Sequence, residues 1–162
     1  PVLNSNKKIL FSKDFLKRNL NLNKYQDLVL MNIEDDNMRG TFNQNDIALI
    51  IKFHNKVLPK TFKDGIYALS MNNEVIIRRL QFLEFKIHNR VLVNIISDNK
   101  KYSDQKIPLE ELNLFGEVVW KCNNFKDIEF TKYELSEPNL FHSEEDEYEI
   151  PLFLNENKKE TA

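Results

Sequence analysis

The sequence predicts a mainly β domain of antiparallel strands, coiled and partly closed, with one short helix near its N-terminus. Three observations predict it. Short runs rich in β-branched and aromatic residues fill the centre of the chain. Turn-forming residues separate these runs, and only three glycines serve all 162 residues. We therefore expect asparagine to take many of the left-handed turn positions.

The helix comes first in chain order. Ser12 is a suitable N-cap, Asp14 favours the first turn, and Phe11, Phe15 and Leu16 form an apolar face. The predicted strands follow it, at residues 28–32, 46–53, 65–70, 74–80, 82–88, 90–96 and 114–121.

Turn chemistry and the C-terminal residues add two local predictions. Asn72-Asn73 stands between two strand-like runs and predicts a hairpin. Near the C-terminus, residues 148–154 predict one further strand, which Pro151 would confine to a sheet edge.

The composition is that of a globular domain. The chain is 41% hydrophobic and 11% aromatic, it has a single cysteine, Cys122, and no apolar run approaches the ~18 residues that a membrane span needs. One cysteine excludes an internal disulfide and fits a reducing cytoplasm, where we expect the protein. The histidines, His54, His88 and His142, lack metal-ligand spacing, so neither a metal nor a cofactor is predicted.

Charge is distributed unevenly along the chain. Residues 125–162 hold eleven acidic residues against four lysines, a net −7, while the whole chain carries −2. The first 124 residues therefore carry +5 without a concentrated basic cluster, which does not indicate a nucleic-acid surface. We divide the chain into a linker (1–9), a core domain (10–124) and an acidic, partly packed extension (125–162).

Two segments of the sequence give the most specific indication of what kind of protein this is. Residues 35–41 read Asp-Asp-Asn-Met-Arg-Gly-Thr and are closed by Asn45-Asp46, and residues 74–80 read Glu-Val-Ile-Ile-Arg-Arg-Leu. They resemble the Gly-Asp-Ser-Met-x-Pro-Thr…Gly-Asp and Glu-Val-x-Val-Lys-Arg-Leu motifs of LexA-like and phage repressor C-terminal domains. Four more segments resemble that family in the same order, at residues 11–18, 63–69, 97–102 and 115–120.

The resemblance implies the LexA/signal peptidase type of fold, with both members of a serine–lysine dyad substituted. Asn37 stands at the nucleophile position and Arg78 at the general-base position. Asp35, Gly40 and Asn45 also depart from the motif. The resemblance also implies a short turn that begins at Asp36, as in the nucleophile loop of the family. The implied vestigial cleft consists of Asp36, Asn37, Met38, Thr41, Asp46 and Arg78. We predict a direct or water-bridged hydrogen bond between Asn37 and Arg78; in the alternative, Arg78 points to solvent.

The resemblance also implies a function. Family members join this domain to an upstream helix-turn-helix domain, so the chain is expected to be the C-terminal dimerisation and regulatory domain of a bacterial or phage transcription regulator. DNA would be contacted only through the missing N-terminal domain, and the homodimer would use Phe115, Val119 and Trp120. We regard the domain as proteolytically inactive. The alternatives are a self-cleaving peptidase with an unorthodox dyad, and a module that binds a regulatory protein through the cleft or the acidic tail.

Overall fold

One nine-stranded sheet and one helix make up the part of the chain that the computed structural model describes, residues 8–22, 27–53, 63–85, 90–123 and 147–153. The helix α1 spans Lys13–Leu20. The strands are β1 (Lys8–Ser12), β2 (Leu28–Asn32), β3 (Ile47–Lys52), β4 (Gly65–Met71), β5 (Glu74–Phe85), β6 (Arg90–Ile96), β7 (Gln105–Pro108), β8 (Leu114–Cys122) and β9 (Glu147–Phe153). The predicted mainly β fold with a short N-terminal helix is confirmed.

The sheet is open and mixed. Its strand order is β1-β9-β2-β3-β8-β4-β5-β6-β7, so it ends at β1 and β7 among the described strands and is not partly closed as predicted. Neighbours pair antiparallel except β2 and β9, which run parallel over two residue pairs. The parallel pair arises because β9 returns from late in the chain and inserts between β1 and β2.

Strand β5 corrects the prediction of separate strands at 74–80 and 82–88. It is continuous because it serves two neighbours: residues 74–80 pair with β4, and residues 79–85 pair with β6. Residues 86–89 lie outside the described part. Strands β1 and β7 were not predicted, and β1 begins at Lys8, inside the predicted linker.

The C-terminal strand exists but is not at an edge. In β9, Pro151 pairs with Lys8 of β1, while the ladder to β2 holds only Leu152 and Phe153. The missing N–H of Pro151 is tolerated inside the sheet because this ladder begins just after it. Ile150 is fully buried, so this part of the acidic extension packs against the domain.

Local predictions at the helix and turns are confirmed, except that Phe11, predicted on the helix, lies in β1. Ser12 caps α1, with its Oγ accepting from the Phe15 N–H at 3.5 Å, and Leu16 is fully buried. Asparagine supplies every left-handed non-glycine residue of the described part: Asn21, Asn45, Asn72 and Asn73. The last two form the two-residue turn of the β4–β5 hairpin.

The buried side chains form three clusters, because β2 to β5 are apolar on both faces. One cluster, the loop-side cluster, lies under the segment 35–42 and contains Val29, Met31, Ile33, Met38, Phe42, Ala48, Ile50, Ala68, Val75 and Ile77. A second cluster, including Leu16, Leu30 and Leu49, lies beneath α1. The third, including Tyr67, Leu80 and Val93, lies between β4, β5 and β6.

Candidate functional site

The segment that follows β2 forms a compact turn over the loop-side cluster. The Arg39 N–H donates to the Asp36 carbonyl at 3.1 Å, and the Phe42 N–H donates to the Met38 carbonyl at 2.8 Å. Met38 and Phe42 are 1% and 2% exposed, so both anchor the turn in the core. The turn predicted at Asp36 is confirmed, and Met38 lies beneath it, not in a cleft.

Gly40 marks a local departure from the motif that the sequence resembles. Its φ is +109°, whereas a proline ring fixes φ near about −65°. The proline of the motif could therefore not adopt the backbone conformation found at this position. Met38 and Phe42 still anchor the loop on either side of Gly40, but the backbone at Gly40 differs from the conformation that a proline would impose.

Asp46 closes the loop from below. Its carboxylate accepts from the Asn43 N–H at 2.8 Å, and its carbonyl accepts from the Ile33 N–H at 2.8 Å. Asp46 is 2% exposed, and its carboxylate accepts the hydrogen bond of a backbone N–H in the turn. Asp46 therefore holds the loop in shape and does not face the cleft, contrary to its place in the predicted set.

A second loop, residues 97–102, packs against the first. The Asn99 N–H donates to the Asn37 carbonyl at 2.8 Å, and the Asn99 side chain donates to the Asp36 carbonyl at 2.9 Å. The Tyr102 hydroxyl donates to the Asp36 carboxylate, and this hydrogen bond raises the pKa of Tyr102 above its usual value. Asp36 thus ties the two loops together at the rim of the cleft.

Thr41 belongs to a separate charged cluster that fixes both loops to β5. Arg79 donates to both carboxylate oxygens of Asp98, each at 2.8 Å, and the Thr41 hydroxyl donates to the same carboxylate. The hydrogen bonds from Arg79 lower the pKa of Asp98, and the bonds to Asp98 raise the pKa of Arg79. Such bidentate pairs restrict geometry strongly.

Arg78 is buried and paired, but its partner is not the predicted one. Its Nη1 donates to the Asp35 carboxylate at 3.0 Å and to the Ile77 carbonyl at 2.6 Å. The side chain is only 11% exposed, so the alternative in which it points to solvent is wrong. The predicted direct Asn37–Arg78 hydrogen bond is replaced by the ion pair with Asp35, because a carboxylate is the stronger acceptor for a buried guanidinium.

Asn37 instead contacts Ser97, a residue outside the predicted set of cleft residues. Its amide oxygen accepts from the Ser97 hydroxyl at 3.5 Å, and its own N–H donates to Asp35 at 3.1 Å. Ser97 is 6% exposed. Ser97 is the first residue of one of the six segments that resemble the family. That resemblance alone does not predict that its hydroxyl lies beside Asn37.

Asn37 and Arg78 line the same cleft. The cleft has a volume of about 340 Å³. Its lining combines polar residues (Asn37, Arg78, Ser97, Tyr102, Ser103 and Gln105) with apolar ones (Met71, Ile76 and Ile95). It therefore offers hydrogen-bond donors and acceptors above an apolar wall. In the described part of the chain no group of acidic, histidine or cysteine residues is arranged to hold a metal ion.

The three residues predicted for the dimer interface lie on β8, inside the sheet between β3 and β4. All are partly buried by their own chain: Phe115 packs on the loop-side cluster, and Val119 and Trp120 pack on the cluster beneath α1. The Trp120 ring meets Phe11 and Phe15 edge-on, with centroids 5.8 Å away in both cases.

Fold and site together define a peptidase-like β domain, in which a motif turn after β2 and the strand β5 meet in one cleft. Comparison with known families identifies it further: the Peptidase S24-like family matches residues 3–119, and the chain belongs to that family. A comparison with curated proteins found no match. Within the described residues, no helix is both long and apolar enough to cross a membrane.

Proposed function

We propose that this chain is the C-terminal dimerisation and regulatory domain of a LexA- or phage-repressor-like transcription regulator, and that it does not cut peptide bonds. The observation that carries the proposal is that Arg78, which lines the cleft together with Asn37, is paired with Asp35. Membership in the peptidase family supports the scaffold. The residues in the cleft support the loss of chemistry.

Serine–lysine catalysis needs an ionisable nucleophile and a base that has lost its proton. The carboxamide of Asn37 has no hydroxyl or thiol to activate. An arginine guanidinium stays protonated at neutral pH, so Arg78 cannot replace the lysine as a base. The Ser97 hydroxyl donates to an amide oxygen, which is too weak a base to remove its proton. None of these side chains supplies a proton acceptor for a nucleophile.

The regulatory role rests on the family resemblance. A dimer of this domain would hold two upstream DNA-binding domains together, so that paired half-sites are bound as a unit. Because β8 is paired on both sides in the sheet, an interface through Phe115, Val119 and Trp120 would have to pack face against face. Their partly buried side chains leave only a portion of each for a second copy.

A second candidate function is favoured by the cleft itself. It keeps a volume of about 340 Å³ and a mixed polar and apolar lining, which is the size and character of a ligand-binding cleft. In this reading a regulatory protein partner occupies the cleft, and derepression needs no cleavage. A self-cleaving peptidase with an unorthodox dyad is the remaining alternative, and the next experiment tests it directly.

We predict that the purified protein stays intact during prolonged incubation from neutral to mildly alkaline pH, because the described residues that line the cleft include no base that is free to accept a proton. Intact-mass spectrometry would detect any cut. The Ser97→Ala variant is the matched control: cleavage in the native protein that is lost in this variant would contradict the proposal and identify a serine peptidase. Cleavage that persists in both proteins at unrelated sites would indicate a contaminating protease.

We also predict that the chain is a dimer that persists on dilution from high to low micromolar concentration, because a dimerisation domain is expected to bury a large and mostly apolar interface. Light scattering over a dilution series measures the mass directly. A strictly monomeric protein throughout the series would contradict the dimerisation role of this domain and would favour the partner-binding function.

A further inference from the structure

Asp35 touches both positions of the former dyad. One oxygen of its carboxylate accepts from the Asn37 N–H at 3.1 Å, and the other accepts from Arg78 Nη1 at 3.0 Å. In the motif that this segment resembles, a glycine stands here. A glycine has no side chain and makes neither contact, so this third departure is joined in space to the other two.

The position of the carboxylate matters for any basic group at position 78. The Arg78 side chain is 11% exposed, whereas that of Asp35 is 37% exposed and reaches the cation from the loop. A lysine acts as a base only after losing its proton, which burial favours and a nearby negative charge opposes. A lysine at position 78 would end one bond earlier than arginine and remain within the ~4–6 Å over which an opposite charge acts.

We propose that Asp35 is a positioning residue that would keep this site inactive even with serine at position 37 and lysine at position 78, because its carboxylate contacts the side chain at position 78 and would hold a lysine there in the protonated form. Restoring serine at 37 and lysine at 78 then leaves a base that is still charged at neutral pH. The inference rests on the proposed loss of peptidase function, and adds that the loss involves three positions.

The test compares one background with three residues at position 35. The background is Asn37→Ser with Arg78→Lys, and Asp35 is kept, changed to Asn or changed to Gly. Asp35→Asn is the matched control for shape, since its amide oxygen still accepts the N–H of residue 37 without the negative charge. Isotope-labelled lysine followed by NMR gives the pH at which the introduced lysine titrates.

The introduced lysine is expected to titrate at a pH lower by about 1–3 in both the Asp35→Asn and the Asp35→Gly proteins than with Asp35 present. The rate at which a fluorophosphonate probe labels the introduced serine, with loss of fluoride, should follow the same titration. At neutral pH we therefore expect labelling to be about tenfold faster, or more, without the carboxylate.

Equal titration of the lysine in all three proteins would overturn the role of Asp35 and leave the proposed function intact. Titration that shifts with Gly but not with Asn would also overturn it, because backbone shape and not charge would then be responsible. If the triple variants do not fold, Arg78→Lys with and without Asp35→Asn gives the same comparison in a chain that keeps Asn37. Self-cleavage of the native chain would overturn the proposed function instead.

Discussion

Phe42→Ala is expected to lower the free energy of unfolding by about 3–5 kcal/mol, the usual loss when a buried phenylalanine is truncated. Phe42 is 2% exposed and is among the largest fully buried side chains of the domain. It anchors the end of the motif turn from the loop-side cluster, and Lys121 lies over its ring, 5.6 Å from the centroid. The cavity would open directly beneath the residues that carry the site.

Urea denaturation followed by tryptophan fluorescence measures this loss. Leu10→Ala is the matched control, since Leu10 is 58% exposed on β1 and its truncation is expected to change stability by about 0.5 kcal/mol or less. A loss below about 1 kcal/mol in Phe42→Ala would contradict the assignment of this residue to the core, because a well-packed site cannot close such a cavity without penalty.

The parts of the fold that depend on neighbouring residues could be predicted from the sequence. The Ser12 cap and the Asn72-Asn73 hairpin each follow from the chemistry of one or two residues. The bounds of β2 and β6 also agree with the prediction. The sequences of these two strands are apolar runs with a turn-forming or polar residue at each end. Their limits can therefore be predicted from the local sequence.

Predictions failed where distant segments decide the outcome. The continuity of β5 depends on having two partners in succession, and the internal place of β9 depends on β1, a strand that the sequence did not reveal. No local pattern in either segment records which strand will lie beside it. Pro151 favours an edge strand because it has no N–H to donate. An internal position is tolerated because the short ladder between β2 and β9 does not include Pro151.

The site shows the same division. The order of the motifs was enough to predict that Asn37 and Arg78 lie close together, because the family fold fixes the positions of both segments. Both residues line one cleft. Motif order was not enough to choose the partner of Arg78. That choice depends on which acceptor lies within about 3 Å of a side chain 43 residues away in sequence. The motif has glycine in place of Asp35, so it gives no indication of this contact.

Asp98→Asn is expected to lower the free energy of unfolding by about 1–2 kcal/mol at neutral pH, because hydrogen bonds to a charged group are among the stronger ones. Asp98 accepts both bonds from Arg79 and one from Thr41, and so joins three segments around the cleft. The lower end of the usual range is expected because the Arg79 side chain is 39% exposed.

The same variant has a defined pH signature. The bonds from Arg79 hold the pKa of Asp98 below its ordinary value of 3.8. The stability from this carboxylate is therefore fully present above that value and is lost as the pH falls through the lower pKa of the folded state. Asp98→Asn removes the titrating group, so its stability should fall less steeply below about pH 4, and the two curves should converge in acid.

Denaturation midpoints measured from neutral pH into acid would check both effects. Asp14→Asn is the control, because the Asp14–Arg18 pair lies on the surface with side chains 61% and 76% exposed and exposed pairs contribute about 1 kcal/mol or less. An Asp98→Asn protein with the native slope in acid would show that this carboxylate does not stabilise the fold. The two loops would then be held by the bonds of Asn99 and Tyr102 to the motif turn.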